Sequence, residues 1–205
     1  MERLIPTWVE CGVAGLALPG QTESGDMHAV AFFLGGLLVA AVDGLGHGDE
    51  AAAAAKIAIA TLDSNPGEPV IELVRRCHVN LRGTRGVVMS LASFNVTHNL
   101  MTWLGVGNTE GVLLRFDPSL TPDRESLLLR GGVVGVQLPA LQAAVLPIGR
   151  GDTLILATDG IRSPFDQQIR PCEAPQQIAD RILSQHGKGT DDALVLVIRY
   201  LGEGR

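Results

Sequence analysis

Leu37-Leu38-Val39-Ala40-Ala41-Val42-Asp43-Gly44-Leu45-Gly46-His47-Gly48 is the stretch that decides the fold. An unbroken apolar run closed by turn residues reads as a buried strand. That strand ends in a carboxylate, Asp43, and then in glycine. Gly44 lets the backbone turn sharply, so that its own carbonyl can face a cation. The glycines at 46 and 48 allow substrate or solvent to come close. His47 falls just before a helix that begins near Gly48, within reach of a bound water or phosphate.

Two other acidic spots repeat the arrangement. Ala157-Thr158-Asp159-Gly160 follows the apolar residues 153–156, and Thr190-Asp191-Asp192 precedes the apolar residues 193–198. Each alone reads as a plain turn, because Asp and Gly are common turn residues. Together they place carboxylates at the ends of buried strands, where like charges repel. A divalent cation is the usual remedy, and an oxygen-only donor set favours Mg²⁺ or Mn²⁺ over zinc. Two such ions, about 3.5–4 Å apart, would acidify a shared water and neutralise a phosphoryl group, with no protein nucleophile required.

Working outward, residues 7–18 read as a strand and 19–26 as a polar, glycine-punctuated loop. Residues 28–34 and 37–42 read as a hairpin turning at Gly35-Gly36. Residues 48–62 are predicted to be a helix, with Asp49 and Glu50 suiting the positive end of its dipole. Its alanine run at 51–55 allows close packing on a sheet. A second helix is predicted over 69–81, where Val70, Leu73, Val74, Cys77 and Leu81 share a face. Strands follow at 87–96, 100–106, 111–116, 125–130 and 153–157, then a helix at 174–185 and a strand at 193–199. Alternating βαβ units are missing, which argues against a parallel doubly wound sheet. The expected fold is α+β: an αββα sandwich of two mostly antiparallel sheets flanked by helices, forming one domain over residues 1–205.

The chain has 205 residues, 46% of them hydrophobic, which suits a folded globule and argues against disorder. Its net charge of -6 disfavours nucleic acid as a partner. No apolar stretch reaches the length of a membrane span, and Met1-Glu2-Arg3-Leu4 lacks a signal pattern, so a cytoplasmic location without membrane contact is expected. Cys11, Cys77 and Cys172 are too few and too scattered for a metal cluster, and reduced, mostly buried thiols are expected. Cys77-His78-Val79-Asn80-Leu81-Arg82 is one residue short of a cysteine-phosphatase loop and falls on the apolar face of a helix. His28, His78, His98 and His186 show no paired spacing and read as surface or satisfied histidines. Trp8 and Trp103 read as core residues on strands.

Ser24-Gly25-Asp26, the Asp43 motif, Ala157-Thr158-Asp159-Gly160 and Thr190-Asp191-Asp192-Ala193-Leu194-Val195 together resemble the ordered motifs of the PPM-type, metal-dependent serine/threonine phosphatases. More narrowly, they resemble the SpoIIE-like branch. The segment Gly105-Val106-Gly107-Asn108-Thr109-Glu110-Gly111 and the bare catalytic domain are similar to its RsbX-like members. The resemblance implies the αββα sandwich, and it implies two Mn²⁺ or Mg²⁺ ions. Asp43 would bridge them, the Gly44 carbonyl would bind one, and Asp159 and Asp191 would bind the other. Asp26 would hold metal-bound water or an additional metal. Asp192 stands where eukaryotic members usually carry Asn, and is expected to support the ligands rather than join them. Asn108 stands where many members carry His; it reads either as a substrate contact or as a turn residue. Arg3 is the only arginine before the first motif, and is read as solvated rather than as a phosphate ligand. The segment 159–171, with Arg162, Phe165 and Arg170 beside the site, falls where relatives often carry a mobile flap that selects substrate, and it is short here.

The function this implies is dephosphorylation of phosphorylated RsbS/RsbR-like stressosome proteins, which carry STAS domains, in feedback control of a bacterial stress response. Two other functions fit the same residues: a non-catalytic module that kept the fold to hold a partner, and a hydrolase of small phosphate esters.

Overall fold

The computed structural model describes residues 7–117, 119–120, 122–167, 169 and 172–202. Arg3 and Arg170 lie outside the described residues. The chain runs β1 (Val9–Leu16), β2 (Asp26–Phe33), β3 (Gly36–Gly44), α1 (Asp49–Ser64), α2 (Val70–Asn80), β4 (Val87–Asn95), β5 (Leu100–Val106) and β6 (Glu110–Leu114). It continues through β7 (Arg124–Ser126), β8 (Leu129–Arg130), β9 (Ala144–Pro147), β10 (Thr153–Ala157), α3 (Pro175–His186) and β11 (Ala193–Tyr200). One sheet has the order β1-β11-β10-β6-β7 and the other β2-β3-β4-β5-β8, with β9 also pairing to β5. Every pairing is antiparallel except β5 with β8. The expected αββα sandwich is the observed one.

The continuous apolar runs are explained by burial on both strand faces. Leu37, Val39 and Ala41 of β3 meet Leu154, Leu156, Leu194, Leu196 and Ile198 between the sheets. The alternate residues Leu38, Ala40 and Val42 face α1 and α2. On the other side, Ile155, Val195 and Val197 pack under Ile178, Ala179 and Ile182 of α3. Ala51, Ala52, Ala54, Ala55 and Ala58 of α1 are all fully buried, so this helix lies almost directly on the sheet. A Cβ on Gly44 would lie 2.2 Å from the Ala51 carbonyl oxygen, so only glycine lets the strand end pass under the helix.

The sheets differ from the sequence reading in several places. Residues 125–130 are not one strand: β7 belongs to the first sheet and β8 to the second, with the chain crossing at Leu127, which is buried between the layers. The β2–β3 turn is Leu34-Gly35, one residue earlier than expected, with Phe33 opposite Gly36. Asp26, read as the end of a loop, is the first residue of β2.

Candidate metal centre

The alternation that fills the core also builds the site. On β3 the interior-facing positions run Leu37, Val39, Ala41 and then Asp43. On β10 they run Leu154, Leu156 and then Thr158 just past the strand; on β11 they run Ile198, Leu196, Leu194 and then Asp192 just before it. At one end of the sandwich the inward positions therefore change from apolar to polar in both sheets. Asp26 adds to this, because it stands directly opposite Asp43 in the β2–β3 register. Like charges facing across a strand pair repel, so this pairing needs compensation.

Burial comes first and then repulsion from Asp26, Asp159, Asp191 and Asp192 in raising the Asp43 carboxyl to about 8. Asp26 is pushed up to about 7, chiefly by burial. The Thr158 hydroxyl, donating to Asp26 Oδ2 at 2.6 Å, works against that rise, while Asp192, Asp159 and Asp191 add to it. Thr158 Oγ1 also accepts the Leu194 N–H at 2.8 Å, so one hydroxyl ties Asp26 to the opposite sheet.

Asp192 does not face the cleft with free oxygens. Its Oδ1 accepts the Leu18 N–H at 2.7 Å, and its Oδ2 accepts the Gly25 N–H at 2.6 Å. It thereby anchors the loop that carries Ser24-Gly25-Asp26. Gly44 N–H then donates to the Gly25 carbonyl at 3.0 Å, joining that loop to the Asp43 motif. Gly160 lies so close to this segment that a Cβ there would fall 1.9 Å from the Asp192 carbonyl oxygen.

Asp43, Asp159 and Asp191 line one cleft of about 480 Å³, together with Leu45, Gly46, His47, Val88, Gly107, Asn108 and Gly131, Gly132 and Val133. The structure thus brings both proposed substrate-contacting residues to the same cleft. His47 is exposed, with Nδ1 3.4 Å from Gln21 Nε2. Asn108 is also exposed, and its amide donates to Asp159 Oδ2 at 2.8 Å, a partnership neither of its two readings contained. Gly131, Gly132 and Val133 were not among the site residues read from the sequence. That loop is fixed from behind by the Gly135 N–H, which donates to His78 Nδ1 at 2.9 Å.

Other candidates are spent elsewhere. Phe165 of the expected flap is 2% exposed and packs in the core under α3. Arg162 is exposed, and its N–H donates to the His186 carbonyl at 2.8 Å. Cys77 is fully buried on α2, and burial pushes its thiol up to about 12, so it offers no thiolate. Trp103 is buried on β5, and Trp8 packs edge-on against Phe32 and Tyr200.

The donor set suits a hard cation. Among the described residues the cleft is lined by carboxylates without a lysine or arginine, and the carboxyls of Asp26 and Asp43 hold protons far above their normal range. Among the described residues, no three His, Cys, Asp or Glu side chains close on one ion position. The carboxylates therefore share a cleft rather than a finished coordination sphere.

The two-sheet sandwich with outer helices is a PP2C-like fold. The family model of stage II sporulation protein E (SpoIIE) matches residues 35–201, and the chain belongs to that family. Among solved structures, RsbX in complex with magnesium superimposes with a TM-score of 0.85 at 20% identity, over 96% of this chain and 97% of that one. A structure described as "The bacterial stressosome: a modular system that has been adapted to control secondary messenger signaling" gives a TM-score of 0.84 at 29% identity, over 93% of this chain and 99% of that one. The PP2C phosphatase domain of SpoIIE from Bacillus subtilis gives 0.74 at 21% identity, over 96% of this chain and 64% of that one. No curated protein matches the chain. No helix among the described residues is long and apolar enough to cross a membrane.

Proposed function

We propose that the chain is a Mg²⁺- or Mn²⁺-dependent protein serine/threonine phosphatase whose substrates are phosphorylated stressosome proteins of the RsbS/RsbR type. In that role it would act in the cytoplasm and reset a stress-signalling assembly after activation. The observation that carries the reading is the shared cleft of Asp43, Asp159 and Asp191, with Asp26 opposite Asp43. Asp43, the Gly44 carbonyl, Asp159 and Asp191 would hold a pair of ions, with Asp26 beside them. The ions would supply charge neutralisation and an acidified water when bound. Around them, Thr158 keeps the Asp26 carboxylate oriented, Asn108 does the same for Asp159, and Asp192 holds the Gly25 backbone. His47 lies at the mouth, where a phosphorylated side chain would enter. The stressosome assignment is supported by the 29% identity to the chain from the stressosome work and by the likeness to RsbX.

The test is incubation of purified protein with phosphorylated STAS-domain stressosome proteins, with Mg²⁺ or Mn²⁺ or with chelator, read by mass. Loss of phosphate only with metal, abolished in Asp43→Asn, is the expected result. Equal turnover in chelator refutes the metal dependence. One observation favours the partner-binding reading instead: the carboxylates do not close on an ion position as they stand. If calorimetry finds no metal binding while the phosphorylated proteins still bind, that second reading holds.

A further inference from the structure

A phosphate monoester dianion must enter a cleft walled by carboxylates, yet among the described residues none of the lining side chains is a lysine or arginine. Bound cations neutralise part of that charge. A planar guanidinium at the rim would add paired hydrogen bonds of fixed direction to the phosphoryl oxygens. We infer that Arg85 is this group, a substrate-binding residue for the phosphoryl oxygens. The inference deepens the phosphatase reading and rests on it.

The register of the second sheet places Arg85 there. Gly44 is opposite Val87, and the Leu45 N–H donates to the Gly86 carbonyl at 3.1 Å, so the next residues out, Gly46 and Arg85, are brought side by side. A Cβ on Gly46 would lie 2.6 Å from Arg85 Nη1, which means the guanidinium packs against the bare backbone of a residue lining the cleft. The turn that presents it is fixed on both sides. Thr84 Oγ1 donates to the Leu81 carbonyl at 2.7 Å and accepts the Gly86 N–H at 3.0 Å.

Stability does not explain the placement. The visible ion pair of Arg85 is Nη2 to Glu50 Oε2 at 2.5 Å, with the side chains 51% and 70% exposed. Exposed pairs of that kind contribute little. The pair does orient the group: one edge of the guanidinium is turned to Glu50, and Nη1 is turned to the Gly46 side. Arg85 itself lines a neighbouring depression with Glu50, Ala53, Gly83 and Thr84, and its contact with Gly46 is what links it to the cleft, so a phosphoryl group held over the Asp43 motif would be met from that side.

The experiment titrates inorganic phosphate, the product of the proposed reaction, into Mg²⁺-loaded protein by calorimetry. The proteins compared are the wild type, Arg85→Ala, Arg85→Lys and Arg82→Ala. A lost charge-assisted contact weakens phosphate binding about 10- to 100-fold in Arg85→Ala. Arg85→Lys falls between it and the wild type, because the point charge remains without the fork. Arg82→Ala, an exposed arginine of the same turn, binds like the wild type, and Mg²⁺ affinity is unchanged in all four. With a phosphoserine peptide, Arg85→Ala raises KM more than it lowers kcat. Equal phosphate affinity in wild type and Arg85→Ala overturns the inference, as does a parallel loss of Mg²⁺ affinity, which would make Arg85 a structural residue. Arginine-dependent phosphate binding in a wild type that hydrolyses no phosphoprotein leaves the inference standing and removes the phosphatase reading.

Discussion

In chelator, the protein should become less stable as pH rises from 5 to 7, and Asp43→Asn should remove much of that loss. The folded state holds the Asp43 and Asp26 protons up to about 8 and about 7. The unfolded chain releases both near 4. Between those limits the folded state binds more protons than the unfolded one, so stability falls with rising pH. The stabilisation is fully present below the unfolded value and is lost as pH passes through the folded ones. Each group contributes about 1.4 kcal/mol per pH unit in this window. The two carboxylates repel each other and titrate as a pair, so one group's worth is the appropriate figure, about 3 kcal/mol from pH 5 to pH 7. For a domain of this size that is a fall in Tm of about 6–12 °C. A bound divalent cation favours the ionised forms, so Mg²⁺ at about 100 times its Kd should restore about 2.7 kcal/mol at pH 7 and flatten the profile. Calorimetry at pH 5, 6 and 7, in chelator and in Mg²⁺, measures both effects. If wild type and Asp43→Asn lose stability in parallel in chelator, repulsion at the strand end is not the cause and the argument for a cation site loses its basis.

Three further outcomes are expected. Gly44→Ala forces a methyl group into the Ala51 carbonyl and should destabilise the fold by about 2 kcal/mol or more in urea unfolding, with or without metal. Asp192→Ala strips the Leu18 and Gly25 N–H groups of their acceptor; it should cost about 2–3 kcal/mol and weaken Mg²⁺ binding, because the loop carrying Asp26 is freed. Arg115→Ala leaves Asp152, 2% exposed, without its ion partner far from the cleft; it should cost about 3–5 kcal/mol while Mg²⁺ affinity, read by calorimetry on the folded fraction, stays as in the wild type.

How far the sequence could be read depended on whether each strand is covered on both faces or one. The deep strands β3, β4, β10 and β11 were legible because a continuous apolar run is hard to mistake. β9, Ala144–Pro147, was not: three of its four residues are exposed, and a short edge strand carries no periodic signal. The break between β7 and β8 was hidden for a different reason. The residues on both sides of Leu127 have strand-forming patterns, and only tertiary packing decides that one half joins each sheet. Asp159 and Asp191 were singled out because an acid against an apolar run stands out, and both line the same cleft. Arg85 was not, because nothing in Thr84-Arg85-Gly86 says that the β3–β4 register carries it to Gly46.

The same double coverage accounts for where the site lies. A strand buried on both faces cannot carry a charge in its middle without the cost of an unpaired buried ion. Acids can enter only at positions where the sandwich opens, and there they inherit the inward direction of the strand's alternation. Asp43 follows Leu37, Val39 and Ala41; Asp192 precedes Leu194, Leu196 and Ile198. Of these two, Asp192 is satisfied by backbone donors, whereas Asp43 faces other carboxylates. That division separates the group that builds the site from the group left to be neutralised by something the chain does not supply. Thr158 stands at the join between them, and so it gives the sharpest test of the division. Thr158→Val keeps the shape, removes the hydroxyl that donates to Asp26, and should raise the Asp26 carboxyl still further. Mg²⁺ affinity at pH 7 should then fall several-fold and recover as pH is raised past 8. A loss of affinity that persists at high pH would mean that Thr158 acts on the geometry of the two sheets and not on the charge of Asp26.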